Sequence, residues 1–271
     1  MKYSVVNQKL KEILMFRSLI FGACLIGVIT GLLLTAVQSV GVTPTLLAAE
    51  QFESSEAPAE VAHTHHNHTH GEGESADHHH DPDVWAPEEG TERWLYTALS
   101  NVLAAIGFSA IILVVMNQLY VRGRLRLTPA HGLFIGACSY LVVFVAPAIG
   151  LPPEIPGTAS PALMSRQLWW VFAVLSVAIG LGVLFLARRW KKVLAFPLLV
   201  LPYGFVPVHT GPLFENPDAT VVASLMALHS DFIWISAVTN LFFWLSVGLL
   251  CALILQRSYK TSQIGNEQAP A

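Results

Sequence analysis

Charged residues punctuate this chain into a repeating pattern. Between clusters of Asp, Glu, Lys and Arg lie six runs without a formal charge: 18–49, 94–121, 127–153, 167–187, 193–214 and 232–256. Leu, Val, Ile, Ala and Phe dominate them. A helix that crosses a membrane needs about 20 mostly apolar residues, and it satisfies its backbone polar groups internally because lipid offers none. Even the shortest run meets that length. The pattern predicts an all-α polytopic membrane protein with about six spans: Ser18–Val40, Trp94–Tyr120, Gly132–Gly150, Leu168–Ala187, Val193–Val208 and Phe232–Leu255.

The fifth span is the exception to the pattern. As an α-helix it reaches about 24 Å at ~1.5 Å per residue, short of a ~30 Å hydrocarbon core. It also contains Pro197, Pro202, Gly204 and Pro207. If it is re-entrant, the count falls to five and the C-terminus changes sides.

Composition sharpens the class. Apolar residues make up 54% of the 271 and charged residues 12%, about half the usual share of ~25%. Mean hydropathy is +0.55. These values exclude a soluble globular domain, a disordered chain and a disulfide scaffold. Cys24, Cys138 and Cys251 all fall inside spans, where an odd number reads as apolar packing rather than as a disulfide framework.

Charge sets the orientation, since basic loops stay on the cytoplasmic side. With six spans and the N-terminus inside, only Arg93 and Arg166 of the 15 basic residues fall outside. Of the acids, only Glu12 and Glu267 fall inside, with Asp231 at a boundary. The organisation is then a cytoplasmic N-terminal segment (1–17), a first span (18–40), an extracytoplasmic acidic and His-rich loop (41–93), the remaining helix bundle (94–256) and a cytoplasmic tail (257–271). The first span is too long for a signal-peptide core, so it reads as an uncleaved anchor. Met15 is an alternative start, which would make 1–14 an upstream extension.

The loop contains HTHHNHTHGEGESADHHHD at 63–81. Its Gly and Ser residues and its lack of apolar periodicity predict disorder. Imidazole is a good ligand for divalent cobalt, nickel, copper and zinc. His63, His65, His66, His68, His70, His78, His79 and His80 are therefore candidate metal ligands. Glu72, Glu74, Asp77 and Asp81 concentrate cations around them. The competing reading is a solvated or pH-responsive linker.

Two Pro/Gly-interrupted segments, APAIGLPPEIPG (146–157) and FPLLVLPYGFVPVHTGP (196–212), point to the same outer face. Broken helices in matching positions of two halves are the pattern of a membrane-embedded ion site; Pro-rich turns ending two helices are the alternative. Within them Glu154 and His209 are the metal candidates. Glu154 reads equally as a loop carboxylate paired with Arg166, and His209 as a helix-end cap. His131 reads as an interfacial histidine or an exit ligand. His229 and Asp231, two apart, do not share a helix face. Asn101 and Asn240 read as interhelical hydrogen-bonding amides. Glu50 and Glu53 read as a cation funnel or as solvated acids. Trp94, Trp169, Trp170, Trp190 and Trp234 read as an interfacial belt. No P-loop, zinc-protease helix or nucleophile elbow is present, so the sequence predicts neither an enzyme nor a nucleotide-driven pump.

The stretch MFRSLIFGACLIGVITGLLLTAVQSVGVTPTLLAAEQFE, the histidine loop, WAPEEGTERWLYTALSNVL, APAIGLPPEIPG, SRQLWW and NLFFW resemble the CbtA family of predicted cobalt transporter subunits, from about Met15 to Leu255. The resemblance implies a multi-pass protein of the bacterial inner membrane with about five spans. It also implies a small single-span CbtB-like partner carrying histidines, and a link to cobalamin metabolism. The expected function is a membrane subunit of a cobalt uptake system. Metal captured by the loop passes to the Pro-broken segments; Co2+ is the substrate, with Ni2+ the alternative, and no nucleotide or nucleic acid is involved. The rival readings are a membrane-tethered metal buffer or sensor and an assembly scaffold, neither of which transports.

Overall fold

A computed structural model describes residues 2–56 and 90–267, with the side chains of 17–52 and 90–261. The histidine tract 63–80 lies outside the described residues. Among them no strand occurs, as an all-α membrane protein requires. The chain forms α1 (Lys2–Val40), α2 (Val42–Glu56), α3 (Thr91–Val121), α4 (Pro129–Tyr140), a π-helical turn (Leu141–Val145), α5 (Ala146–Gly150) and α6 (Leu163–Leu186). There follow a 3-10 turn (Arg189–Leu194), α7 (Ala195–Val200), a second 3-10 turn (Leu201–Phe205) and the long α8 (Ala219–Glu267).

Five stretches are long and apolar enough to cross a membrane: Arg17–Val40, Thr91–Val121, Pro129–Gly150, Leu163–Leu186 and Ala219–Thr261. They pack inside out relative to a soluble protein. Large apolar side chains such as Phe21, Leu103, Ile111 and Val238 face outward, while small residues line the seams. An added Cβ on Gly31 of α1 would stand 2.5 Å from the Cα of Val102 on α3. On Gly248 of α8 it would stand 2.4 Å from the carbonyl oxygen of Gly132 on α4. Lipid gives helices no hydrophobic reason to associate, so backbone contact through small residues supplies the packing. Thr30 and Thr35, both buried, return their hydroxyls to the carbonyls of Ile26 and Gly31, at 2.8 and 2.9 Å. Ile26, Leu113, Met116, Trp244, Val247 and Cys251 fill the centre among α1, α3 and α8.

Side-chain contacts fix the directions. Ser18 Oγ meets Ser258 Oγ at 3.0 Å, and Gly41 lies against Ile235, so α1 and α8 run antiparallel. The start of α1 and the end of α8 share one end of the bundle; α2 occupies the other.

The continuous fifth helix expected over Val193–Val208 is absent, and its place is taken by the 3-10, α7, 3-10 sequence. Pro197, Pro202 and Pro207 cannot donate backbone N–H groups, and each ring crowds the carbonyl four residues earlier. This broken segment still runs beside α6. Leu199 packs on Gly180, and Val206 reaches Gly150 at the end of α5.

The third span is interrupted for the same reason. Pro147 has no N–H and crowds the carbonyl of Val143, so the preceding turn opens into a π-helix. The amide of Ala146 there bonds back to Leu141.

Candidate functional site

The two interrupted segments meet at the α2 end of the bundle. Tyr203 donates its hydroxyl hydrogen to the carbonyl of Ala146 at 3.0 Å, and the amide of Ala159 donates to the carbonyl of Leu213 at 2.9 Å. Between them stands Trp169, whose indole N–H donates to the carbonyl of Pro202 at 2.9 Å. These two side-chain donors tie the broken segment to α6 and to α5.

Trp169 is therefore not a residue of the interfacial belt. It is 4% exposed, whereas Trp94, Trp170, Trp190 and Trp234 are all exposed. The signal was the pair Trp169-Trp170: neighbours on a helix lie ~100° apart, so when one faces lipid the other turns toward protein.

Glu154 sits in the loop 151–162 that caps this junction. Pro152, Pro153 and Pro156 restrict its backbone, and Gly157 turns the chain at φ 77°, a conformation that suits glycine. Thr158 bonds the carbonyl of Ile155 at 2.6 Å. Of the alternatives weighed for Glu154, the ion pair is present: its Oε2 accepts from Arg166 Nη1 at the start of α6 and from Ser160 Oγ at 2.7 Å. Among the described residues the buried Nε of Arg166 has no hydrogen bond.

Beneath this loop Ile155, Phe214, Leu225, Phe232 and Ala49 form a second apolar cluster that joins α2 to the first turns of α8. His229 is buried at 8% exposure, edge-on to Phe214 with centroids 6.0 Å apart. Its Nδ1 has no hydrogen-bond partner among the described residues. Asp231 is exposed, so the two residues face different surroundings, as their spacing predicts.

The remaining candidates are dispersed. His209 is exposed and folds over Gly211. His131 lies in the first turn of α4, its Nδ1 2.7 Å from the hydroxyl of the capping Thr128. Asn101 bridges α3 to α1 through Thr35 and Gln38 at 3.0 and 2.7 Å, and Asn240 bonds back to the carbonyl of Ser236. Glu50 of α2 forms a two-pronged pair with Arg93 of α3 at 2.5 and 3.0 Å. Among the described residues no three His, Cys, Asp or Glu side chains converge as a ready metal cage.

The two basic residues that broke the charge rule, Arg93 and Arg166, are thus each matched to an acid. An open-sided, mainly apolar cleft lined by Ser165, Leu168, Trp169, Phe172, Phe205 and Pro207 lies between α6 and the broken segment.

A family model described as probable cobalt transporter subunit (CbtA) matches residues 16–256. Comparison with curated proteins and with solved structures gives no match.

Proposed function

The chain belongs to the CbtA family, and from that membership we propose that it is the metal-handling membrane subunit of a cobalt uptake system of the bacterial inner membrane. In this reading the N-terminus is cytoplasmic and the α2 end faces outward. The imidazoles of His63, His65, His66, His68, His70, His78, His79 and His80 collect Co2+ there. Glu154 and His209, on the two Pro-rich segments, take the ion next and pass it toward the broken segment beside α6. A small single-span CbtB-like subunit is the expected partner, Ni2+ is the alternative cargo, and a link to cobalamin metabolism is expected.

One observation carries this reading. The residues that tether the histidine tract, Glu56 at the end of α2 and Thr91 at the start of α3, belong to the same end of the bundle as the junction of the two interrupted segments. Capture and entry then share one face.

The dispersal of the described His and acidic residues favours a second reading, a membrane-tethered cobalt buffer or scaffold that moves nothing across. Sealed proteoliposomes holding the full chain, with and without the partner subunit, separate the two. A transporter accumulates Co2+ in the lumen, and deleting residues 63–80 or substituting Glu154→Ala lowers the rate. If both variants accumulate Co2+ like the parent, the capture-and-transfer route is wrong. If no preparation accumulates it, the buffer or scaffold reading replaces transport.

A further inference from the structure

The charges of the bundle are sorted by end. The acids whose side chains are described, Glu50, Glu92, Glu154, Glu215, Asp218 and Asp231, all belong to the half that carries α2. At the opposite end Tyr259 of α8 donates its hydroxyl hydrogen to Oδ1 of Asn117 on α3 at 2.7 Å, which places the loop 122–128 there. This loop carries Arg122, Arg124 and Arg126, all exposed. Nη1 of Arg124 donates to the carbonyl of Leu186, the last residue of α6, at 3.3 Å across 62 residues of sequence. That bond brings in a second basic stretch, Arg188, Arg189, Lys191 and Lys192, also exposed. Among the described residues neither stretch pairs with an acid.

Arg124 has a structural duty, since a cation suits the C-terminal carbonyls of a helix. The other cations have none. Like charges gathered on two touching loops repel one another and draw an anion to the patch. The neighbouring side chains decide its kind. Trp190 is 72% exposed, and Val193 and Phe196 are exposed beside it. Lys191 Nζ lies 5.4 Å from the centroid of the Trp190 ring. Phe134 of α4 and Phe185 of α6, both exposed, meet edge-on with centroids 5.4 Å apart, one residue before the carbonyl that Arg124 holds. Cations interleaved with exposed aromatic and aliphatic side chains at the ends of membrane helices belong at the headgroup level of a bilayer.

We propose that the two loops form one binding site for an anionic phospholipid. Its phosphate sits between the Arg122–Arg126 loop and the Arg188–Lys192 stretch, and an acyl chain lies over Phe134 and Phe185. Guanidinium groups match a phosphate in two-pronged geometry, and basic pockets between membrane helices hold anionic headgroups. The lipid reinforces the Arg124–Leu186 bond, so α6 and the broken segment beside it are tied to α3 and α4 at this end. The site does not depend on the uptake reading, in which this end is cytoplasmic.

The test needs no Co2+, so it stands or falls apart from uptake. The full chain in detergent micelles is mixed with phosphatidylglycerol or with phosphatidylcholine, and lipid retained per chain is counted by native mass spectrometry. Phosphatidylglycerol is retained in preference and raises the melting temperature; phosphatidylcholine does neither. Arg124→Gln and Arg188→Gln each weaken retention about fivefold, the contribution of one cation near an anionic surface. Arg257→Gln removes a cation of the same end that lies on α8 and on neither loop, and leaves retention unchanged.

Equal retention of the two lipids by wild type overturns the proposal without any variant having to fold. So does a loss in Arg257→Gln as large as that in Arg188→Gln, because attraction would then be diffuse over the whole basic end. Inorganic phosphate or heparin that raises the melting temperature as much as phosphatidylglycerol does would assign the patch to a soluble anion and overturn the lipid.

Discussion

The indole nitrogen of Trp169 lies 2.9 Å from the carbonyl oxygen of Pro202, across 33 residues of sequence. Pro202 lies at the start of the second 3-10 turn, just after Leu201, and the bond pins that turn to α6. Replacing Trp169 by Phe keeps most of the ring and removes this buried hydrogen bond, which costs about 0.5–1.5 kcal/mol. Trp169→Ala adds a cavity and brings the loss to about 3–5 kcal/mol. Thermal unfolding in detergent checks both. Equal melting temperatures for wild type and Trp169→Phe would mean that the indole N–H contributes nothing.

Gly248 has no room for a methyl group. A Cβ there would lie 2.4 Å from the carbonyl oxygen of Gly132 and 2.7 Å from the amide nitrogen of Gly136, both backbone atoms that cannot rotate aside. Gly248→Ala is expected to separate α4 from α8 and destabilise the protein by about 1–3 kcal/mol or more. Gly182, whose added Cβ would meet nothing within 4 Å, is the control: Gly182→Ala is expected to leave the melting temperature unchanged or raise it slightly.

The Glu50–Arg93 pair fastens α2 to α3 with both side chains 33% exposed. Exposed pairs contribute little, so Glu50→Gln should lower stability by no more than about 1 kcal/mol. Screening shortens the reach of such charges, and the difference from wild type should shrink in concentrated salt. A larger effect that is insensitive to salt would show that the pair is more buried in the membrane-bound protein than its exposure here indicates.

Asp218 stands immediately before α8. The hydroxyl and the backbone N–H of Thr220 donate to its Oδ1 at 2.7 and 2.8 Å, and these bonds hold its carboxyl below the ordinary carboxylate range. The folded value is therefore the lower of the two. Its contribution to stability is complete above the unfolded carboxylate pKa and is lost as pH falls through the folded one. Asp218→Asn retains a good cap residue and removes the titration, so its melting temperature should decline less on acidification than that of wild type. Parallel acid limbs would refute this.

Membership of the membrane class, the helical content and five of the six apolar stretches were legible in the sequence, because span length and charge are local properties. The pairing of Arg166 with Glu154 was one of two open readings for the same reason: twelve residues and a run of prolines keep them near one another. Trp169 was misplaced because helical position gives a residue's distance from the membrane surface and leaves open which way its ring turns. The spacing of His229 and Asp231 turns them different ways, but that His229 is the buried one, beside Phe214, depends on packing.

Hydrophobic run length, proline placement and the distribution of charge by themselves determined that this chain is a bundle of membrane helices interrupted at two places, with a histidine-rich tether. The tertiary structure alone decided that the two Pro-rich segments meet, that Trp169 and Tyr203 donate to the carbonyls of Pro202 and Ala146, and that His229 is buried beside Phe214. The physical reason is range: a helix break depends on the prolines and carbonyls within one turn, whereas which side chain reaches a given carbonyl or ring depends on which distant helix packs against it.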